Sequence, residues 1–118
     1  MKNLAPQVYR QRLLIEATYT RSVTQGDVER YLRELPGELS LRIYTDPVVY
    51  SPGGAGREIN QGYDGFVALI DSGIAIYVWE NAKFVSVVVY TCKQFDERRA
   101  IEFTRRFFDT TELEHMAF

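Results

Sequence analysis

Apolar and β-branched residues between Arg10 and Tyr19 predict a first strand, although the run Leu13, Leu14, Ile15 blurs its alternation. The period then changes. Val28, Tyr31, Leu32 and Leu35 fall at i, i+3, i+4 and i+7, which gathers them into one stripe of a helix. Thr24 stands before that stripe with Asp27 three positions on, the pair needed to close a capping box at the helix start. Pro36 and Gly37 are expected to stop the helix. Leu41 to Tyr50 alternates again, and Pro47, which cannot donate to a ladder, assigns this strand to a sheet edge or a bulge.

The second half reads as hairpins. Phe66 to Ile70 and Ile74 to Trp79 are apolar strands separated by Asp71, Ser72 and Gly73, whose turn chemistry suits a tight reversal. Asn81, Ala82 and Lys83 suit a second reversal, into a Val- and Tyr-rich strand from Phe84 to Cys92. Phe95 to Phe108 returns to a helical period with Ala100, Phe103, Thr104 and Phe107 toward the core, and Thr111 to Met116 can add a last strand. Residues 1–9, with Pro6, read as a lead-in. The order β-α-β-β-β-β-α, with a final β, makes the fold class α+β. It predicts a two-layer α/β sandwich, an antiparallel sheet with two helices on one face, as a single domain over residues 1–118. The other face stays apolar and exposed in this layout, so a homodimer is the expected cover.

Composition trims the possible functions. A chain of 118 residues with 46% hydrophobic and 25% charged residues can bury one ordinary core. A net charge of −2 lacks the basic excess of a nucleic-acid module. Arg98, Arg99, Arg105 and Arg106 alternate with Asp96, Glu97 and Glu102, the pattern of a solvated helix face rather than a phosphate site. The lone Cys92 excludes an internal disulfide, and no His/Cys cluster suggests a metal. No apolar run suits a signal peptide or a bilayer span, so a cytoplasmic protein with no membrane partner is expected. The Gly-rich segment from Ser51 to Gly56 matches neither a Rossmann fingerprint nor a P-loop. His115, close to the C-terminus, reads as incidental. By residue type alone Ser72 is a turn residue and Cys92 a small buried hydrophobe.

The segment from Asp71 through Ser72 and Tyr77 to Trp79, followed by Tyr90, Thr91 and Cys92, resembles the core of bacterial and archaeal S-adenosylmethionine decarboxylases. The spacing from Ser72 through Trp79 to Cys92 matches without a gap, and the resemblance extends over roughly residues 10–108. Gly62 to Gly65 is similar to the Gly-x-Ser-Gly that leads into the same strand. In that family the proenzyme cuts itself before the serine, which becomes an N-terminal pyruvoyl group, the electron sink for decarboxylation. The resemblance implies that Ser72 is the pyruvoyl precursor, that Asp71 becomes the new C-terminus, and that Cys92 donates the proton. It also places Tyr77 at the position of the processing histidine, and Tyr63, Asp64 and Glu80 among ligand-binding residues. Tyr63 and Phe66 could stack on an adenine, though Phe66 is expected in the core.

Several positions depart from the family pattern. Tyr77 stands where the processing histidine belongs, and a phenol is a weak base near neutral pH. Asp71 replaces Glu, Gly73 replaces His, and Trp79-Glu80-Asn81 replaces Trp-Pro-Glu, so a ribose-binding carboxylate is shifted by one residue or absent. Three functions fit. One is a pyruvoyl-dependent decarboxylase of S-adenosylmethionine or another amino acid, in spermidine biosynthesis. Another is an unprocessed homologue that binds S-adenosylmethionine or a related small molecule, or pairs with an active paralogue. The third is a non-pyruvoyl lyase acting on S-adenosylmethionine.

Overall fold

The structure, a computed structural model, describes residues 1–51 and 61–118, so all but Ser51 of the Gly-rich segment lies outside the described residues. In chain order the elements are β1 (Gln11–Tyr19), α1 (Gln25–Glu38), β2 (Val48–Tyr50), β3 (Gly62–Leu69), β4 (Ser72–Trp79), β5 (Phe84–Thr91), α2 (Glu97–Phe108) and β6 (Thr110–Ala117). The strands form one sheet in the order β2-β3-β4-β5-β1-β6, every neighbouring pair antiparallel. This is the expected antiparallel α+β sandwich with both helices on one face.

Period-2 alternation decides which side the helices cover. Leu13, Ile15 and Ala17 of β1, Val67 and Leu69 of β3, Ile74, Ile76 and Val78 of β4, and Val85, Val87 and Val89 of β5 are all buried. Helix α1 lays its stripe of Val28, Tyr31, Leu32 and Leu35 on that face. Gly65 permits the close approach, since a Cβ there would come within 2.9 Å of Leu32 Cδ1 and 3.3 Å of Val28 Cγ1. The two helices meet in an aromatic cluster in which the Tyr31 ring lies 5.2–5.6 Å from those of Phe103, Phe107 and Phe108. The Thr104 hydroxyl donates to the Ala100 carbonyl at 2.8 Å, which leaves its oxygen to accept from the Tyr31 hydroxyl at 2.7 Å. Burial raises the Tyr31 phenol above its ordinary range.

Local signals are realised with shifts that packing explains. The Thr24–Asp27 capping box forms in both directions. Helix α1 runs through Pro36 and Gly37 to Glu38. Pro36 is buried with the stripe, and its carbonyl accepts from the Leu39 and Leu41 amides, so the left-handed residue that ends the turn is Ser40 (φ 57°). The strand expected over Leu41–Tyr50 contracts to Val48–Tyr50 plus an isolated bridge between Ile43 and Leu69, with Pro47 just before the edge strand. Among the described residues no helix is long and apolar enough to cross a membrane.

Candidate functional site

The β3–β4 reversal is tighter than expected. Leu69 pairs with Ser72, so the turn is Ile70-Asp71 alone, and Ser72 and Gly73 already belong to β4. Asp71 takes the left-handed conformation (φ 59°), which Asp tolerates better than most side chains. Ser72 is half-buried, and its Oγ accepts a hydrogen bond from the Cys92 backbone N–H at 3.1 Å. The β4–β5 ladder, in which Gly73 faces Tyr90, delivers this contact. Beyond the end of β5, the chain is tied down by Thr91 and by Gln11, the second of which the sequence did not flag. The Thr91 hydroxyl donates to the Lys93 carbonyl at 2.6 Å. The Gln11 side-chain amide accepts from Phe95 N–H (3.0 Å) and donates to the Phe95 carbonyl (2.9 Å). Gln11 becomes a neighbour of Thr91 only once β1 pairs with β5, so no linear motif announces it.

Tyr77 lies elsewhere. Five residues along an extended strand span about 17 Å, and an odd offset puts the two side chains on opposite faces. Tyr77 is on the helix-free face, where it pairs with the exposed Asp64 and tilts against Trp79 at 6.5 Å. Tyr63, one residue from Asp64, turns to the helix side and packs partly buried against the core.

Glu80 is engaged within the chain. Its carboxylate accepts from the Tyr19 hydroxyl (2.6 Å), the Ser22 hydroxyl (3.3 Å), the Val23 amide (3.2 Å) and Lys83 Nζ (2.9 Å). Burial alone would raise this carboxyl, but the bonds from Tyr19, Lys83 and Val23 outweigh it and hold Glu80 below the ordinary carboxylate range. Burial and the same carboxylate push the Tyr19 phenol up. Glu80 thus ties the β4–β5 turn to the segment between β1 and α1.

Phe66 corrects a second expectation. It sits outside the core on the helix-free face, 46% exposed, because its neighbours Gly65 and Val67 take the inward positions. With Gly73, Ala75, Val88 and Tyr90 it lines a cleft of about 390 Å³ that Asp71 and Ser72 close at one end. A larger cleft, about 570 Å³, lies between the end of α1 and the start of α2 and contains none of the motif residues. His115 faces α2 in a groove with Glu97, Arg98, Ile101, Glu102 and Arg105, away from Ser72. Among the described residues no group of His, Cys, Asp and Glu could hold a metal ion.

Comparison with known proteins bears on this arrangement. A family model described as S-adenosylmethionine decarboxylase matches residues 15–118. The crystal structure of the adenosylmethionine decarboxylase from Aquifex aeolicus VF5 superposes with a TM-score of 0.73 at 18% identity, covering 94% of this chain and 89% of that one. At that identity the likeness speaks for the fold. A comparison with curated proteins returns no significant match.

Proposed function

This chain belongs to the S-adenosylmethionine decarboxylase family, and from that premise we propose that it is a pyruvoyl-dependent decarboxylase acting on S-adenosylmethionine or a related small amino acid, in polyamine biosynthesis. The observation that carries this reading is the 3.1 Å contact between the Ser72 hydroxyl and the Cys92 backbone, which joins the cofactor precursor to the proton donor.

In self-processing, Ser72 Oγ attacks the Asp71 carbonyl carbon, and the peptide C–N bond is exchanged for an ester C–O bond. Loss of the Ser72 α-proton then breaks the Cβ–Oγ bond and releases Asp71 as a carboxylate. Water hydrolyses the resulting imine, ammonia leaves, and residue 72 is left as the blocked end of the second fragment. A pyruvoyl group carries only acceptors, so the Cys92 N–H already directed at residue 72 fits it. When present, that group supplies the electron sink for decarboxylation. Cys92 then has a proton to deliver at the ligand carbon that lost carbon dioxide.

A second reading keeps the chain uncut as a binder of S-adenosylmethionine or partner of a paralogue. What favours it is Tyr77, which stands where the processing histidine belongs and lies on the sheet face opposite the Ser72 side chain. Intact mass separates the two. Fragments 1–71 and 72–118, with carbon dioxide released from carboxyl-labelled S-adenosylmethionine, are expected. An uncut 13.7 kDa species that releases none would overturn the decarboxylase reading.

The helix-free face supports a homodimer. Val48, Phe66, Ala75, Val88, Leu14 and Met116 lie in register as one apolar row across all six strands. On one side of it Asp64, Glu16 and Glu114 make an acidic row, and on the other stands Arg12. A two-fold axis through the apolar row sets Arg12 of one copy toward the acids of the other, so charge and apolar surface are both complementary. The same operation carries Tyr77 of the second copy over the Gly73 end of the first.

A further inference from the structure

Gln11, at the start of β1, has every hydrogen-bonding position of its side-chain amide filled. Its Oε1 accepts from the Phe95 N–H at 3.0 Å and from the Tyr9 hydroxyl at 3.1 Å. Its Nε2 donates to the Phe95 carbonyl at 2.9 Å and to Glu97 Oε2 at 3.4 Å. An amide offers two donors and two acceptor lone pairs, so none is left over. Phe95 is thus bonded in both directions by a side chain, as a strand residue is by the backbone opposite it.

Only Cys92, Lys93 and Gln94 separate Thr91 from Phe95. Those two are buried, whereas Cys92 is half-buried and Lys93 and Gln94 are exposed, so the course of the segment is set at its ends. Thr91 fixes one end through the ladder with Gln11 and through its bond to the Lys93 carbonyl. The Gln11 amide fixes the other at Phe95. Between them the Cys92 N–H meets Ser72 Oγ at 3.1 Å.

We propose that Gln11 is a positioning residue of the Ser72 site, holding the segment from Cys92 to Gln94 so that Cys92 faces residue 72. This rests on the reading of Ser72 and Cys92 as cofactor precursor and proton donor. A proton passes only over hydrogen-bond distance, and misplacement by an ångström costs up to about a hundredfold in rate. Burial of the Phe95 ring sets where the segment re-enters the core, and the two bonds from Gln11 set how its peptide is turned. Gln11 precedes the cut before Ser72 and Phe95 follows it, so the same bonds hold the two fragments together beside the site.

Gln11→Met keeps the length of the side chain and removes all four bonds. Amide hydrogen exchange, read by NMR on the whole chain as purified, should show Cys92 and Phe95 exchanging about tenfold faster in this variant, relative to the Val87 amide inside β5, as expected for losing one or two hydrogen bonds. Thr104→Val, which removes the core bond to Tyr31, is the comparator for general loosening and should leave that ratio unchanged. With S-adenosylmethionine, Gln11→Met should lower kcat about ten- to hundredfold and hold KM within about twofold, because proton delivery is misaimed while ligand binding is not. Gln11→Glu, which keeps the acceptor and removes the donor, carries the same expectation should Gln11→Met lose its fold. Cys92 exchange unchanged in both variants, or a kcat that falls no further than in Thr104→Val, would overturn the proposal. Wild-type turnover that Gln11→Met leaves intact sinks the positioning role and leaves the decarboxylase reading standing. Slow Cys92 exchange that depends on Gln11, in a chain without turnover, does the reverse.

Discussion

The Ser72 hydroxyl oxygen accepts the backbone N–H of Cys92 at 3.1 Å, although twenty residues separate the two in sequence. One hairpin closes that gap, and the bond fixes the serine rotamer at the bond where the family cuts. Ser72→Ala is therefore expected to do two things. It should leave a single uncut mass, and it should cost about 1 kcal/mol by stripping the Cys92 amide of its acceptor. Urea unfolding of the uncut variant measures the second effect. A Ser72→Ala chain that is still cleaved would show that another residue is the nucleophile.

Glu80 should act as a structural latch. Glu80→Gln removes the charge that organises four donors and is expected to cost about 1.5–3 kcal/mol. The pH dependence has a definite sign. The folded carboxyl lies below its ordinary value, so as pH falls the unfolded chain binds its proton first. The stabilisation from Glu80 is thus complete above the unfolded value near ~4.3 and is lost as pH drops through the folded value. Melting temperatures taken from pH 7 downward should show wild type and Glu80→Gln converging below that point. Parallel curves would remove Glu80 from the latch.

Two glycines of the same strand should differ sharply in tolerance. A Cβ on Gly62 runs into the Val78 backbone carbonyl, whereas one on Gly65 meets the side-chain ends of Leu32, Ile76 and Val28. Side-chain tips can move and a paired backbone cannot. Gly65→Ala is expected to cost about 1–3 kcal/mol, the usual range for overpacking. Gly62→Ala should cost more and open the β3–β4 ladder at that end. Thermal unfolding of the two variants in parallel decides it, and equal melting points would contradict a rigid ladder.

Val88 stands in the middle of the apolar row, between Ala75 and Leu14 in register, and is only half-buried in one chain. Val88→Lys should leave the single chain folded while placing a charge in the proposed interface. The expected result is a native mass that falls from twice 13.7 kDa to 13.7 kDa at micromolar concentration, with the circular dichroism spectrum unchanged. Wild type that is already monomeric there would refute the dimer.

The sequence by itself determined what depends on neighbours along the chain. The Thr24–Asp27 box and the Val28–Leu35 stripe were legible because capping and helical period are local. The antiparallel character of the sheet was legible because short reversals join its successive middle strands. Ser72 and Cys92 could be named from their spacing, though not as neighbours.

Tertiary structure decided the rest, for reasons of packing and register. Pro36 stayed helical because its ring had a core to enter. The β3–β4 turn contracted to Ile70-Asp71 because Leu69 had to face the helices, which moved Ser72 into a strand. Phe66 went outside for the same parity reason, as Gly65 and Val67 were needed inward. Gln11 and Thr91 became a clamp only when the first strand inserted beside the fifth. Glu80 found three of its four donors, on Tyr19, Ser22 and Val23, far away in sequence and adjacent only in the fold. A chain states which residues can cap, turn or react; which of them meet is set by the register of the sheet.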